Sequence, residues 1–163
     1  MADERLTVRA GLARHPAHAS ITPVQISDLV DRFYQRVQHD DHLAPIFKKH
    51  VPGEWGPHLE IMKGFWRSVL LKTGEYNGRP VPVHVKLGKL DADDYRAWLR
   101  LFSTTVDEVF AAEARPIVVE AAERIATSLW LATNGDLLAT PPDWKAEDES
   151  PSDLDGVNSV RKR

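Results

Sequence analysis

Seven histidines, at positions 15, 18, 39, 42, 50, 58 and 84, carry most of the chemistry available to this chain, because it contains no cysteine. Disulfides, thiolate zinc centres, iron–sulfur clusters and cysteine nucleophiles are thereby excluded. Any metal must be held by imidazole or carboxylate. His15, His18, His39, His42 and His50 read as solvated surface residues. His58 and His84 differ, since each lies on or beside an apolar aromatic segment, where an imidazole needs a hydrogen bond, a ligand or a metal. One such histidine is ordinarily a satisfied core residue. Two of them, flanking an aromatic helix in a chain without thiols, can seat a flat apolar cofactor between their rings. Tyr34 and Trp98 also face inward by periodicity, so with His58 they offer an O–H, an imidazole and an indole N–H from three separate helices. Ordinary aromatic core is the alternative reading of that pair. Three donors meeting in one apolar pocket would suit a polar, partly anionic diatomic ligand on iron.

Other chemistries find less support. Catalytic zinc wants three protein ligands, commonly with two histidines four apart on one helix, and neither HExxH nor another compact cluster falls on an apolar face. His39 and His42 are three apart, but in a polar His-Asp-Asp-His run suited at most to adventitious metal. The nine glycines are scattered, without a phosphate loop, a dinucleotide fingerprint or a GxSxG elbow.

The elements that must position these residues are helices. Thr22-Pro23-Val24-Gln25 is a helix start, with a capping threonine, a proline that needs no amide donor in the first turn and a glutamine able to close a capping box. Ile26, Leu29, Val30, Phe33, Tyr34 and Val37 then form one apolar face. Leu43, Pro45, Ile46 and Phe47 make a short apolar knot, which Pro45 limits to a turn or a single helical turn. Trp55, His58, Leu59, Met62, Phe65, Trp66, Val69 and Leu70 predict an aromatic helix ending near Gly74. Two glycines and two prolines between residues 74 and 82 force a turn-rich loop that delivers His84 on a short segment. Asp91 to Asp94 form a carboxylate-rich helix start, followed by a face of Tyr95, Trp98, Leu99, Phe102, Val106, Val109 and Phe110. A last helix runs from about Arg115 to Thr133 and presents Val118, Ala121, Ala122, Ile125 and Leu129. No alternating run demands a sheet, so the fold class is all-α.

The 163 residues carry 21 Lys and Arg against 24 Asp and Glu, a formal charge of −3 that points to neither nucleic acid nor a polybasic membrane anchor. No apolar run approaches a membrane span, and residues 1–14 lack a secretory apolar region, which reads as a cytoplasmic protein. The expected organisation is a flexible extension over residues 1–20, one helical domain over 21–138, and a disordered acidic tail over 139–163 that serves mainly as a solvated segment.

Taken in order, Phe33-Tyr34-Gln35-Arg36-Val37, Leu43-Ala44-Pro45-Ile46-Phe47, Trp55-Gly56-Pro57-His58, Phe65-Trp66, Gly74-Glu75-Tyr76-Asn77-Gly78-Arg79-Pro80 with His84, and Trp98-Leu99-Arg100-Leu101-Phe102 resemble the group III truncated haemoglobins. The resemblance spans roughly residues 22–134, and the paired-glycine motifs of the other two groups are missing. It implies a globin-like two-over-two helical sandwich enclosing haem b. His84 matches the proximal iron ligand, while Tyr34, His58 and Trp98 match the distal polar positions. Phe47, Met62 and Phe65 are then expected to pack on the cofactor. The ligands implied are dioxygen, nitric oxide and carbon monoxide, with slow oxygen release and redox chemistry such as nitric oxide dioxygenation or a peroxidase-like reaction. An unidentified reductase would serve a monomeric protein. The alternative is a haem-free, globin-like helical sensor or interaction module.

Overall fold

The computed structural model describes residues 15–146, apart from 52, 87, 135 and 137. Six helices follow one another: α1 (Pro23–His39), α2 (Leu43–His50), α3 (Trp55–Leu70), α4 (Pro80–Lys86), α5 (Ala92–Val109) and α6 (Arg115–Asn134). No strand occurs among the described residues. The α1/α3 pair packs over the α5/α6 pair, with α1 against α5, α2 against α1 and α5, and the short α4 against α6. This is the expected all-α, two-over-two arrangement.

Local chemistry sets the helix ends. Gln25 N–H donates to Thr22 Oγ1 at 3.2 Å and Thr22 N–H donates to Gln25 Oε1 at 2.9 Å, which closes the capping box that starts α1. Asp40 both ends α1 and begins α2, because its carboxylate accepts from the amides of His42 and Leu43 at 3.0 and 2.8 Å. A tight corner results. α2 is longer than the single turn that Pro45 predicts, since Pro45 lies in the first turn, where no amide donor is required, and the helix continues to His50. α3 stops at Leu70 rather than near Gly74, because Lys72 adopts a left-handed conformation (φ 60°) that turns the chain away. The loop after α3 is tied back onto it: Arg67 Nε donates to Glu75 Oε1 at 2.9 Å, and the Tyr76 amide donates to Ser68 Oγ, also at 2.9 Å.

Ile26, Leu29, Val30, Phe33 and Val37 of α1 are buried against Leu99, Phe102 and Val106 of α5 and against Trp66 and Leu70 of α3. Phe102 is the hub. Its ring lies 4.8 Å from Trp66, 5.2 Å from Trp98 and 5.4 Å from Phe33, the first two stacked and the last edge-on. Phe102→Ala is therefore expected to cost about 3–5 kcal/mol in urea unfolding. A loss under about 1 kcal/mol would show that the hub repacks. Thr105 is the buried polar residue beside this core. It is satisfied, accepting from Arg36 Nη1 at 2.9 Å and donating to the Leu101 carbonyl at 2.8 Å.

Residues 1–14 of the expected extension and 147–163 of the expected tail lie outside the described residues. The parts that are described are tied to the helices. Ala17 N–H donates to the Leu70 carbonyl at 2.7 Å, at the end of α3, and Ile21 is buried. Trp144 packs against the core and donates through its indole Nε1 to Thr127 Oγ1 at 2.9 Å. Composition predicts loose chain in both stretches; residues 15–20 are indeed exposed or half-buried and are tied to α3 by the Ala17 backbone hydrogen bond, whereas the later stretch is held by the Trp144 side chain. Among the described residues no helix is long and apolar enough to cross a membrane.

Candidate ligand pocket

Between the helix pairs lies a cavity of about 500 Å³ with a largely apolar lining. That size is ordinary for a site that takes a small molecule or cofactor. Each wall follows from helical spacing. His58, Ile61, Met62 and Phe65 recur at i, i+3, i+4 and i+7 on α3, so they share one face and all line the cavity. Pro80, Val83 and His84 do the same on α4, and Ile125, Ala126 and Leu129 on α6. Asp94, Tyr95 and Trp98 line it from the first turns of α5. Tyr34 enters from α1 and Phe47 from α2.

All seven residues singled out in the sequence, Tyr34, Phe47, His58, Met62, Phe65, His84 and Trp98, therefore meet around one space. The aromatic face of α3 divides accordingly: Leu70 is buried in the core, Trp66 is buried there and also borders the cavity, and His58, Met62 and Phe65 are half-exposed and line it.

His84 is one of the lining residues, and its Nδ1 lies 2.7 Å from the Pro80 carbonyl oxygen. A carbonyl only accepts, so Nδ1 carries a proton and Nε2 is the ring nitrogen left to face a ligand. The proline that begins α4 thus fixes the tautomer of the histidine one turn later.

Tyr34, His58 and Trp98 form the other group. Tyr34 is wedged edge-on against Phe33 at 5.0 Å, Phe47 at 5.9 Å and His58 at 5.3 Å, with Trp55 tilted behind it at 5.9 Å. Trp55 also meets His58 edge-on at 6.0 Å, so one indole braces both polar rings. Trp98 is held between Phe33 at 5.7 Å and Phe102 at 5.2 Å. Burial pushes the Tyr34 phenol well above its ordinary range, which keeps it a hydroxyl donor at any physiological pH. His58 Nε2 is buried and has no hydrogen-bond partner, an arrangement that costs free energy unless something in the cavity supplies one.

Burial also lowers the proton affinity of His58 from its ordinary value of 6.5. The folded chain then resists a proton that the unfolded chain accepts, so stability is full above about pH 6.5 and declines as pH falls below it. His50, lowered by burial first and then by Lys49 and His84, acts in the same direction. His58→Leu is expected to flatten the fall in urea-unfolding stability between pH 7 and pH 5. An unchanged slope would assign that fall to other groups.

Two histidines read as solvated have partners or positions the sequence did not disclose. His42 Nε2 lies 2.6 Å from Asp94 Oδ1 and joins α2 to the start of α5. His50 is half-buried and lines the cavity, which corrects its reading as a surface residue. It lies one helical turn beyond Ile46, and that spacing was the available signal. Tyr76 and Tyr95 are further lining residues without a distinct role in the sequence reading. Among the described residues no group of three or more histidines and carboxylates is placed to hold a metal ion, so a compact zinc-type centre has no counterpart there.

No family model matches the chain. It is, however, 31% identical over 111 residues to the group 3 truncated hemoglobin ctb of Campylobacter jejuni, a match that covers 66% of this chain and 87% of that one. Its fold is similar to the crystal structure of a group III truncated hemoglobin from Campylobacter jejuni, with a TM-score of 0.65 and 28% identity over 69% of this chain and 91% of the other. With the two-over-two helices, these likenesses establish that the chain belongs to the group III truncated haemoglobins.

Proposed function

We propose that this protein holds haem b in the cavity, with His84 as the axial ligand, and binds dioxygen, nitric oxide or carbon monoxide beside Tyr34, His58 and Trp98. The observation that carries this reading is that two kinds of group line one apolar space. His84 offers a lone pair with its tautomer fixed by Pro80, and the orphaned His58 Nε2 lies among the polar rings of the other group. A flat apolar macrocycle needing one nitrogen ligand fits that arrangement, and the likeness to truncated hemoglobins supports the same cofactor. Phe47, Met62 and Phe65 line the cavity and would pack on such a ring. When bound, haem supplies an iron able to take up a diatomic molecule.

The remaining chemistry is that of the chain. Tyr34 donates its hydroxyl hydrogen to a ligand that has gained negative charge, and the Trp98 indole donates a second bond from α5. His58, neutral because it is buried, offers a donor or an acceptor according to its tautomer. Donors directed at a partly anionic ligand slow its release, so the protein suits redox chemistry on that ligand better than oxygen delivery. Nitric oxide dioxygenation or a peroxidase-like reaction is the activity we assign, carried out by a cytoplasmic monomer with a separate reductase. Titration of the protein with hemin, followed through quenching of tryptophan fluorescence, tests the reading. It should break at one hemin per chain, and a featureless, non-saturating decrease would contradict it.

A further inference from the structure

Beyond α6 the chain turns at Asp136, whose carboxylate accepts from the Leu138 amide at 2.9 Å, and comes back along the helix it has just left. Residues 143–145 are then fastened at several points. The Trp144 indole donates to Thr127 Oγ1 at 2.9 Å, on α6 and seven residues before that helix ends. Arg96 Nε, on α5, donates to the Asp143 carbonyl at 3.1 Å. Lys145 Nζ stands 4.0 Å from Glu123 of α6. The Trp144 ring lies against Tyr95 at 5.8 Å, and Tyr95 is a buried residue whose other surroundings include the cavity. Ala126, next to Thr127, also lines the cavity. The returning segment therefore backs the α5/α6 wall from outside, at the turn of α5 that carries Asp94, Tyr95 and Trp98.

We infer that Trp144 is a positioning residue for the cavity: residues 138–146 act as a strap that locks the first turn of α5, through Tyr95, against whatever the cavity holds. Trp144 itself is not a lining residue, so its influence must pass through Tyr95 and Thr127. The indole hydrogen bond aims the ring and the ring fills the space behind Tyr95, which separates the two contributions experimentally. Applied to the cofactor, the inference rests on the function proposed above: a wall free to move lets a flat ligand escape.

The test uses the full-length protein and two readouts. Trp144→Ala is expected to speed amide hydrogen exchange at residues 94–98 by about tenfold while leaving the centres of α1 and α3 unchanged, as a local rather than global opening requires. The same variant should transfer hemin to excess apomyoglobin faster in proportion, by about tenfold, since release follows the same local opening. Trp144→Phe, which keeps a ring behind Tyr95, should recover most of both effects. Thr127→Val should reproduce the small residue that Trp144→Phe leaves. Wild-type exchange at residues 94–98 in Trp144→Ala, or acceleration spread evenly over all helices, would overturn the strap. Local acceleration in a protein that takes up no hemin at all would leave the strap standing and overturn the proposed function instead.

Discussion

His84→Ala is expected to abolish one-to-one haem uptake, or to leave a loosely held pigment whose reduced spectrum differs from that of the wild type. In the folded chain His84 is the cavity histidine with its Nδ1 proton committed to the Pro80 carbonyl, and this leaves Nε2 free to donate its lone pair. Loss of an outer hydrogen-bond partner in a metal site typically weakens affinity about 10- to 100-fold, and loss of the ligand itself should exceed that range. His84 is half-exposed on the short helix α4 and makes no part of the buried core, so the variant should fold with wild-type helicity. Free imidazole, small enough to occupy the vacated volume, should restore the spectrum. An unchanged ferrous spectrum in His84→Ala would remove His84 from the axial position. Restoration by imidazole would show in addition that the cavity keeps its shape without the side chain.

The second large effect concerns Tyr34. Tyr34→Phe retains the ring that packs against Phe33, Phe47, Trp55 and His58 and deletes only the hydroxyl. Hydrogen bonds to charged groups are worth about 1.5–3 kcal/mol, so oxygen release should accelerate by roughly 10- to 100-fold in stopped-flow measurements. Carbon monoxide gains little negative charge on binding, and its release should change far less. That contrast separates a lost hydrogen bond from a loosened pocket, which would hasten both. Equal acceleration of both ligands, or of neither, would take the donor role away from Tyr34.

Much of this arrangement was legible because its signals are local. The Thr22–Gln25 box, the apolar face from Ile26 to Val37 and the Asp91 start of α5 each depend on residues within a few positions of one another. Helical periodicity places Tyr34 and Trp98 on inward faces, and the resemblance to group III truncated haemoglobins is what matches them, with His58, to one pocket. What escaped depends on distant partners or on backbone conformation. Lys72 carries no mark of a left-handed residue, so the end of α3 was placed too late. The Arg67–Glu75 tie spans eight residues across a turn, outside any helical spacing rule. His50 follows two lysines and looks solvated until α2 is seen to extend far enough to carry it to the cavity. Trp144 is one aromatic residue in a strongly acidic stretch, and composition averaged it away. Seating it against Tyr95 and Thr127 needs only local order, which an average over the tail cannot register.

If this cavity holds an iron able to take up a diatomic ligand, the ultraviolet–visible spectrum of the purified protein will show it in three states: ferric, dithionite-reduced, and reduced under carbon monoxide. An intense Soret band that shifts on reduction and shifts again with carbon monoxide is the predicted result. No Soret band after hemin titration would contradict the account and leave a helical sensor or interaction module with a globin fold, while a band insensitive to carbon monoxide would deny the ligand its place beside Tyr34, His58 and Trp98.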